Sequence, residues 1–140
     1  MKPIERITKR VHRSGDPNDR NTPFALLTLE EFFDGNNVTG SIGCNLDTSP
    51  TPGQFYELLR SFLNKNGVET VLVQITAFDD PDWPFSDTVW VITSCSEEEV
   101  RSWFPDDLAP NEVWTGWVEN QSYEPINIPA GMVPIACWWD

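Results

Sequence analysis

A chain of 140 residues has the length of one domain, and it can bury about two-thirds of its unfolded surface. Its apolar fraction of 39% is that of a globular protein, not a disordered one. The formal charge of −13 argues against nucleic acid and anionic membranes as partners and favours basic proteins, although the same charge also serves solubility alone.

The charge is unevenly placed. Residues 1–20 carry a net +3, and residues 21–140 carry −16. We therefore divide the chain into a basic N-terminal tail and loop, 1–23, and a single α+β domain, 24–140. In the tail, Ile4, Ile7 and Val11 recur at helical spacing with Arg6, Lys9, Arg10 and Arg13 between them. This reads as a short amphipathic helix or a frayed edge strand folding back on the acidic body. Three apolar residues without a large aromatic are too few for a membrane-surface helix. The run Ser14–Pro23 is a loop of turn and breaker residues.

Phe24–Leu27 is a short apolar run, and Thr28 and Glu31 form a capping box ahead of a short helix. Leu29, Phe32 and Phe33 are its packing residues, and Gly35 ends it. Val38–Asp47 is punctuated by glycines. It is read as a strand bulged at Gly43 or as a loop whose backbone comes close to another element. The clearest helix starts at the N-cap Thr51, with Pro52 in its first position and Gln54 completing a capping box. Phe55, Leu58, Leu59, Phe62 and Leu63 repeat as one apolar face, Lys65 suits the C-terminal dipole, and Gly67 stops the helix.

The organising stretch is Val68–Ser94. Val71, Val73 and Ile75 share one face of a first strand, and Leu72 and Phe78 lie on the other. In the second strand Val89 and Val91 alternate with Trp90 and Ile92. Apolar residues on both faces imply central strands covered by helices on at least one side. The link is too short for a crossover, so the pair is antiparallel, and Pro81 and Pro84 keep the link out of the sheet. Ser96 and Glu99 then cap a helix whose inner face is Val100, Trp103 and Phe104. Residues 109–113 suggest one more turn, 114–124 an irregular segment or weak edge strand, and MVPIACWWD a final strand. The result is a mainly antiparallel sheet over 68–78 and 87–94 with helices near 52–65 and 97–104. Helix–strand–strand–helix suits a ferredoxin-like half, though other open sheets would serve.

Cys44, Cys95 and Cys137 are odd in number and widely spaced, which implies reduced thiols, neither a disulfide framework nor a zinc site. The N-terminus has no apolar signal region, and no run approaches membrane-spanning length, so the cytoplasm is the expected compartment. His12 is the only histidine and lies in the tail, out of place for a Ser-His-Asp or Cys-His mechanism. Gly40-Ser41-Ile42-Gly43 lacks the spacing and the lysine of a phosphate loop. No cofactor is expected, and binding is expected in place of catalysis.

The sharpest local feature is Asp79, Asp80, Asp82 and Asp87 in the link. Four aspartates could hold a hard cation, but the glycine and terminal glutamate of an EF-hand loop are missing. A solvated loop offering carboxylates to the Arg and Lys of a basic protein is the better reading. Trp83, Trp114 and Trp117 are the tryptophans placed to be exposed, with Trp83 as an anchor; Trp90, Trp103, Trp138 and Trp139 fall in core elements. Trp114-Thr115-Gly116-Trp117 is either a flexible aromatic patch or a loop pinned to the sheet by its two rings. The alternative function is a small carbohydrate-binding or hydrolytic domain with exposed Trp and paired carboxylates.

Three stretches, Leu27–Asn36, Ser41–Leu46 and Trp83–Ser94, resemble a group of small acidic bacterial proteins, some of which are similar to immunity proteins of secreted-toxin systems. The likeness spans Phe24 to about Trp117. It implies a non-catalytic cytoplasmic protein that blocks a partner toxin, and it transfers no binding residue.

Overall fold

In the computed structural model, which describes residues 1–140, the two central strands are β2 (Val68–Gln74) and β3 (Thr88–Thr93). They pair antiparallel, with Leu72 opposite Trp90 and Gln74 opposite Thr88. Flanking them are β1 (Leu26–Thr28) on one side and β5 (Val133–Trp138), then β4 (Glu112–Thr115), on the other. The order β1-β2-β3-β5-β4 gives one open, wholly antiparallel sheet in an α+β domain. The strands stop short of the expected 78 and 87, but the ladder continues irregularly as a bridge between Ala77 and Phe85. The loop that projects from the sheet is therefore only residues 78–84.

Alternation decides the two faces. Val71, Val73, Val89, Val91, Ile135 and Cys137 point into the main core. There they meet α2 (Leu29–Phe33), α3 (Pro52–Phe62) and α4 (Glu97–Ser102). All three helices carry the capping boxes read from sequence, at Thr28/Glu31, Thr51/Gln54 and Ser96/Glu99. Phe55, Leu59 and Phe62 of α3 are fully buried, whereas Leu63 beyond its end is exposed. The 38–47 segment is a loop and not a strand. Gly43 sits at φ +66, where an added Cβ would lie 2.5 Å from the Phe55 ring, so this is the close approach that only glycine permits.

The N-terminal segment forms a helix, α1 (Pro3–Val11), and Ile7 and Val11 are buried in the main core. Residues 109–113 do not make the expected turn: a single 3-10 turn precedes them at Asp106–Leu108, and Glu112 already begins the edge strand β4. Pro134 is tolerated in the inner strand β5 because of where its missing donor points. Its carbonyl accepts from the Gly116 amide, just past the end of β4, so the donor it lacks falls beyond the last residue of that strand's ladder.

The second face carries Leu26, Leu72, Trp90, Ile92 and Ala136. No helix covers it. Instead the long connection between β4 and β5 folds over it, packing Tyr123, Ile126, Ile128 and Met132 on that smaller core.

Candidate functional site

In an antiparallel sheet, strand ends collect by direction. The end of β2, the start of β3, the end of β5 and the start of β1 meet at one edge, where Leu26, Gln74, Thr88 and Trp138 form a cross-strand row. The acidic link leaves the sheet at this edge. On the second face, a cleft of about 210 Å³ opens beside that row. Its apolar wall is made by the rings of Phe24, Trp90, Trp114, Tyr123 and Trp138, and its polar side by Gln74, Thr76, Asp87, Thr88 and Gln121.

The rings hold one another. Trp90 is fully buried and lies 4.6 Å from Trp117, 5.4 Å from Tyr123 and 6.3 Å from Trp114 between centroids. Trp117 and Tyr123 are 4.6 Å apart, and Tyr123 reaches Phe24 at 5.6 Å. The WTGW segment is thus pinned to the sheet by both rings, yet Trp117 stays 38% exposed and Trp114 half-buried. Gly116 makes the turn between them at φ +100. Burial raises the Tyr123 hydroxyl above the ordinary tyrosine value, outweighing the opposing effect of the Val118 amide bonded to it.

The polar side is a connected chain. Trp90 Nε1 donates to Gln74 Oε1 at 2.9 Å, and Gln74 Nε2 donates to Thr76 Oγ1 at 3.3 Å. Thr76 and Thr88 hydroxyls both donate to Asp87 Oδ1, at 2.6 and 2.8 Å. No protein donor reaches Asp87 Oδ2, which leaves that oxygen available to a ligand. Asp87 is the one carboxylate among the lining residues. The paired acids that glycoside hydrolysis needs are not assembled in this cleft.

The other aspartates of the link lie outside the cleft. Asp79, Asp80 and Asp82 are exposed, and none is in an ion pair. Asp80 Oδ1 accepts from the Asp82 amide at 2.7 Å, a local turn. No group of three or more His, Cys, Asp or Glu is arranged to hold a metal ion. A second groove, lined by Asp19, Arg20 and Asp79 among others, shares Phe24, Thr76 and Gln121 with the cleft, so the two adjoin. Asn18 ties its outer wall to the link, exchanging bonds of 2.8 and 3.0 Å with the Phe78 backbone.

Trp83 does not belong to this surface. It is 4% exposed, packed in the main core, and its Nε1 donates to the Phe32 carbonyl at 3.1 Å. The short projecting loop turns the ring back under the sheet edge, which removes it as an exposed anchor. Of the residues singled out in the sequence, the structure joins Asp87 and Trp114 in the cleft, with Trp117 packed on Trp90 and Tyr123, and leaves Asp79 in the adjoining groove and Asp80 and Asp82 exposed in the link.

Sequence reading missed the ion pair that fixes the cleft's covering segment. Arg10 donates to Glu124 at 2.9 and 3.2 Å, to Glu31 at 2.8 Å and to the Leu26 carbonyl at 3.0 Å. Glu124 also accepts from Ser14 Oγ and from the Leu26 amide. Burial alone would raise the Glu124 carboxyl, but these donors and the Arg10 charge outweigh it and hold it below the ordinary glutamate value. Arg10 is correspondingly held above its ordinary value, its partners outweighing the cost of burial. Tyr123 is the immediate neighbour of Glu124 in the chain, so this pair also sets the position of a cleft ring.

A family model described as "Uncharacterized protein YfbO family" matches residues 2–137. A relative from Escherichia coli (strain K12), "Uncharacterized protein YfbO", is 49% identical over 140 residues, which is 100% of both chains. The chain belongs to the YfbO family. No solved structure matches it, and no helix is long and apolar enough to cross a membrane.

Proposed function

We propose that this YfbO-family chain is a non-catalytic binding module that holds a basic protein partner at the acidic end of its sheet. The observation carrying this reading is that the aromatic cleft adjoins, across the shared residues Phe24, Thr76 and Gln121, a groove that bears Asp19 and Asp79. Asp80 and Asp82 stand exposed in the same link, and Arg20 is the one basic residue among those lining the two grooves. Rings give such a surface a desolvated centre, and unpaired carboxylates give it steering and register. The three ion pairs of the molecule all use Arg6 or Arg10 of α1, so the carboxylates of this end are not neutralised internally. In the immunity-type form of this reading, the partner is a basic toxin.

The test is capture from an extract of the encoding organism, with wild type compared against a variant carrying Asp→Asn at 79, 80 and 82. Asn retains the turn that Asp80 makes, so the fold is preserved while charge falls from −13 to −10. A basic protein retained by wild type and depleted with the variant is the expected result. Equal retention by both removes this end as the binding surface.

A further inference from the structure

The geometry points to a specific use for the aromatic cleft: we infer that it is a socket for one cationic side chain, arginine or lysine, projecting from the partner. The inference rests on the reading of the acidic end as a binding surface and adds the chemistry of its centre. Size comes first. About 210 Å³ lies below the ~300–1,000 Å³ typical of sites for whole drug-sized ligands, and it suits a single side chain.

The lining then selects charge. The wall offers the rings of Trp114, Trp138, Tyr123 and Phe24, whose π faces attract a cation and tolerate the alkyl stem behind it. A purely aromatic wall would accept any apolar group, but here the polar side holds an ionisable acid aimed by its neighbours. The Thr76 and Thr88 hydroxyls both bond Asp87 Oδ1, which fixes the carboxylate and leaves Oδ2 without a protein donor. An ammonium or guanidinium in the cleft would complete that acceptor with a charge-assisted bond. Glu112 lies opposite Trp138 on the edge strand, adding a second negative charge beside the mouth. At the floor, Trp90 Nε1 is already committed to Gln74 Oε1, so that indole is not free for a neutral acceptor ligand such as a sugar hydroxyl.

The experiment is an NMR titration that follows the indole N–H signals of the intact protein. The probes are Nα-acetyl-arginine amide and Nα-acetyl-lysine amide, with Nα-acetyl-citrulline amide as the neutral isostere and methyl glucoside as the sugar. Trp83 and Trp139 serve as internal references, because their N–H groups are bonded to Phe32 and Leu108 carbonyls in the other core. At least one cationic amide is expected to shift Trp114 and Trp138 with a Kd on the order of 1–10 mM while Trp83 and Trp139 stay still. Citrulline amide should shift them far less at the same concentration. Asp87→Asn keeps the acceptor for Thr76 and Thr88 and should weaken the cation about tenfold.

No shift from either cation at about ten times that range, or an equal shift from citrulline amide or methyl glucoside, overturns the socket. An arginine-rich peptide separates the two levels of the proposal. If it binds wild type while the cleft indoles do not move and Asp87→Asn binds equally well, the socket fails and the acidic surface stands. If it does not bind at all, both fall.

Discussion

The Arg10–Glu124 pair gives the most quantitative prediction. Glu124 accepts four hydrogen bonds, two from Arg10 and one each from Ser14 and the Leu26 amide. The side chains of Arg10 and Glu124 are only 12% and 10% exposed. Glu124→Gln preserves shape but turns one acceptor into an NH₂ that faces donors, and it leaves Arg10 short of a counter-charge. Breaking a buried pair costs about 3–5 kcal/mol; because Arg10 keeps Glu31 at 2.8 Å, we expect the low end, about 3 kcal/mol. That is a large part of a total stability of about 5–15 kcal/mol. Urea unfolding at pH 7 measures it, with the exposed Arg6–Asp34 pair as control, where Asp34→Asn should cost under about 1 kcal/mol. The pH dependence has a definite sign. Glu124 is held below its ordinary 4.5, so the unfolded chain takes up that proton first as pH falls. Its stabilisation is fully present above about 4.5 and is lost as pH drops through the folded value, so the gap between wild type and Glu124→Gln must narrow in acid. A cost below about 0.5 kcal/mol at pH 7, or a gap constant with pH, would refute the assignment of this pair as a buried latch.

Gly43→Ala should destabilise by at least about 2 kcal/mol, from the left-handed backbone and the 2.5 Å approach to Phe55, whereas Gly131→Ala, also at positive φ but with open space, should cost only about 1 kcal/mol; thermal melts of the two variants check the difference. Trp90→Phe removes the N–H that Gln74 accepts and should cost about 1–3 kcal/mol by urea unfolding, with Trp117 becoming more quenchable by iodide as its packing partner shrinks. Toward a thiol reagent, exposed Cys44 should react in the native protein, while Cys137, buried and with its thiol pushed well above the ordinary range, should react only on unfolding. Reaction of Cys137 in the native protein at the rate of Cys44 would contradict the packing of β5.

Local signals made much of the fold legible. Three capping boxes, the apolar repeat of α3 and the alternation of β2 and β3 each lie within a dozen residues, and all three helices start where those signals put them and both strands lie inside the expected ranges, although β2, α3 and α4 end short of them. What was not legible depends on distance along the chain. Arg10 and Glu124 are 114 residues apart, and nothing near either residue marks the other. Trp83 looked exposed because its neighbours are acids and prolines; only its bond to Phe32, 51 residues away, reveals it as core. The cleft itself was half visible. Asp87 and Trp114 were singled out, but their convergence needs β5 to lie between β3 and β4, an order that no local pattern encodes.

The most direct measurement is the association rate constant of the captured partner as a function of ionic strength, for wild type and for the variant with Asn at 79, 80 and 82. Steering by unpaired carboxylates predicts a rate that falls steeply with salt for wild type, and a slower rate with a shallower slope for the variant. Identical rates and slopes for the two proteins would contradict it.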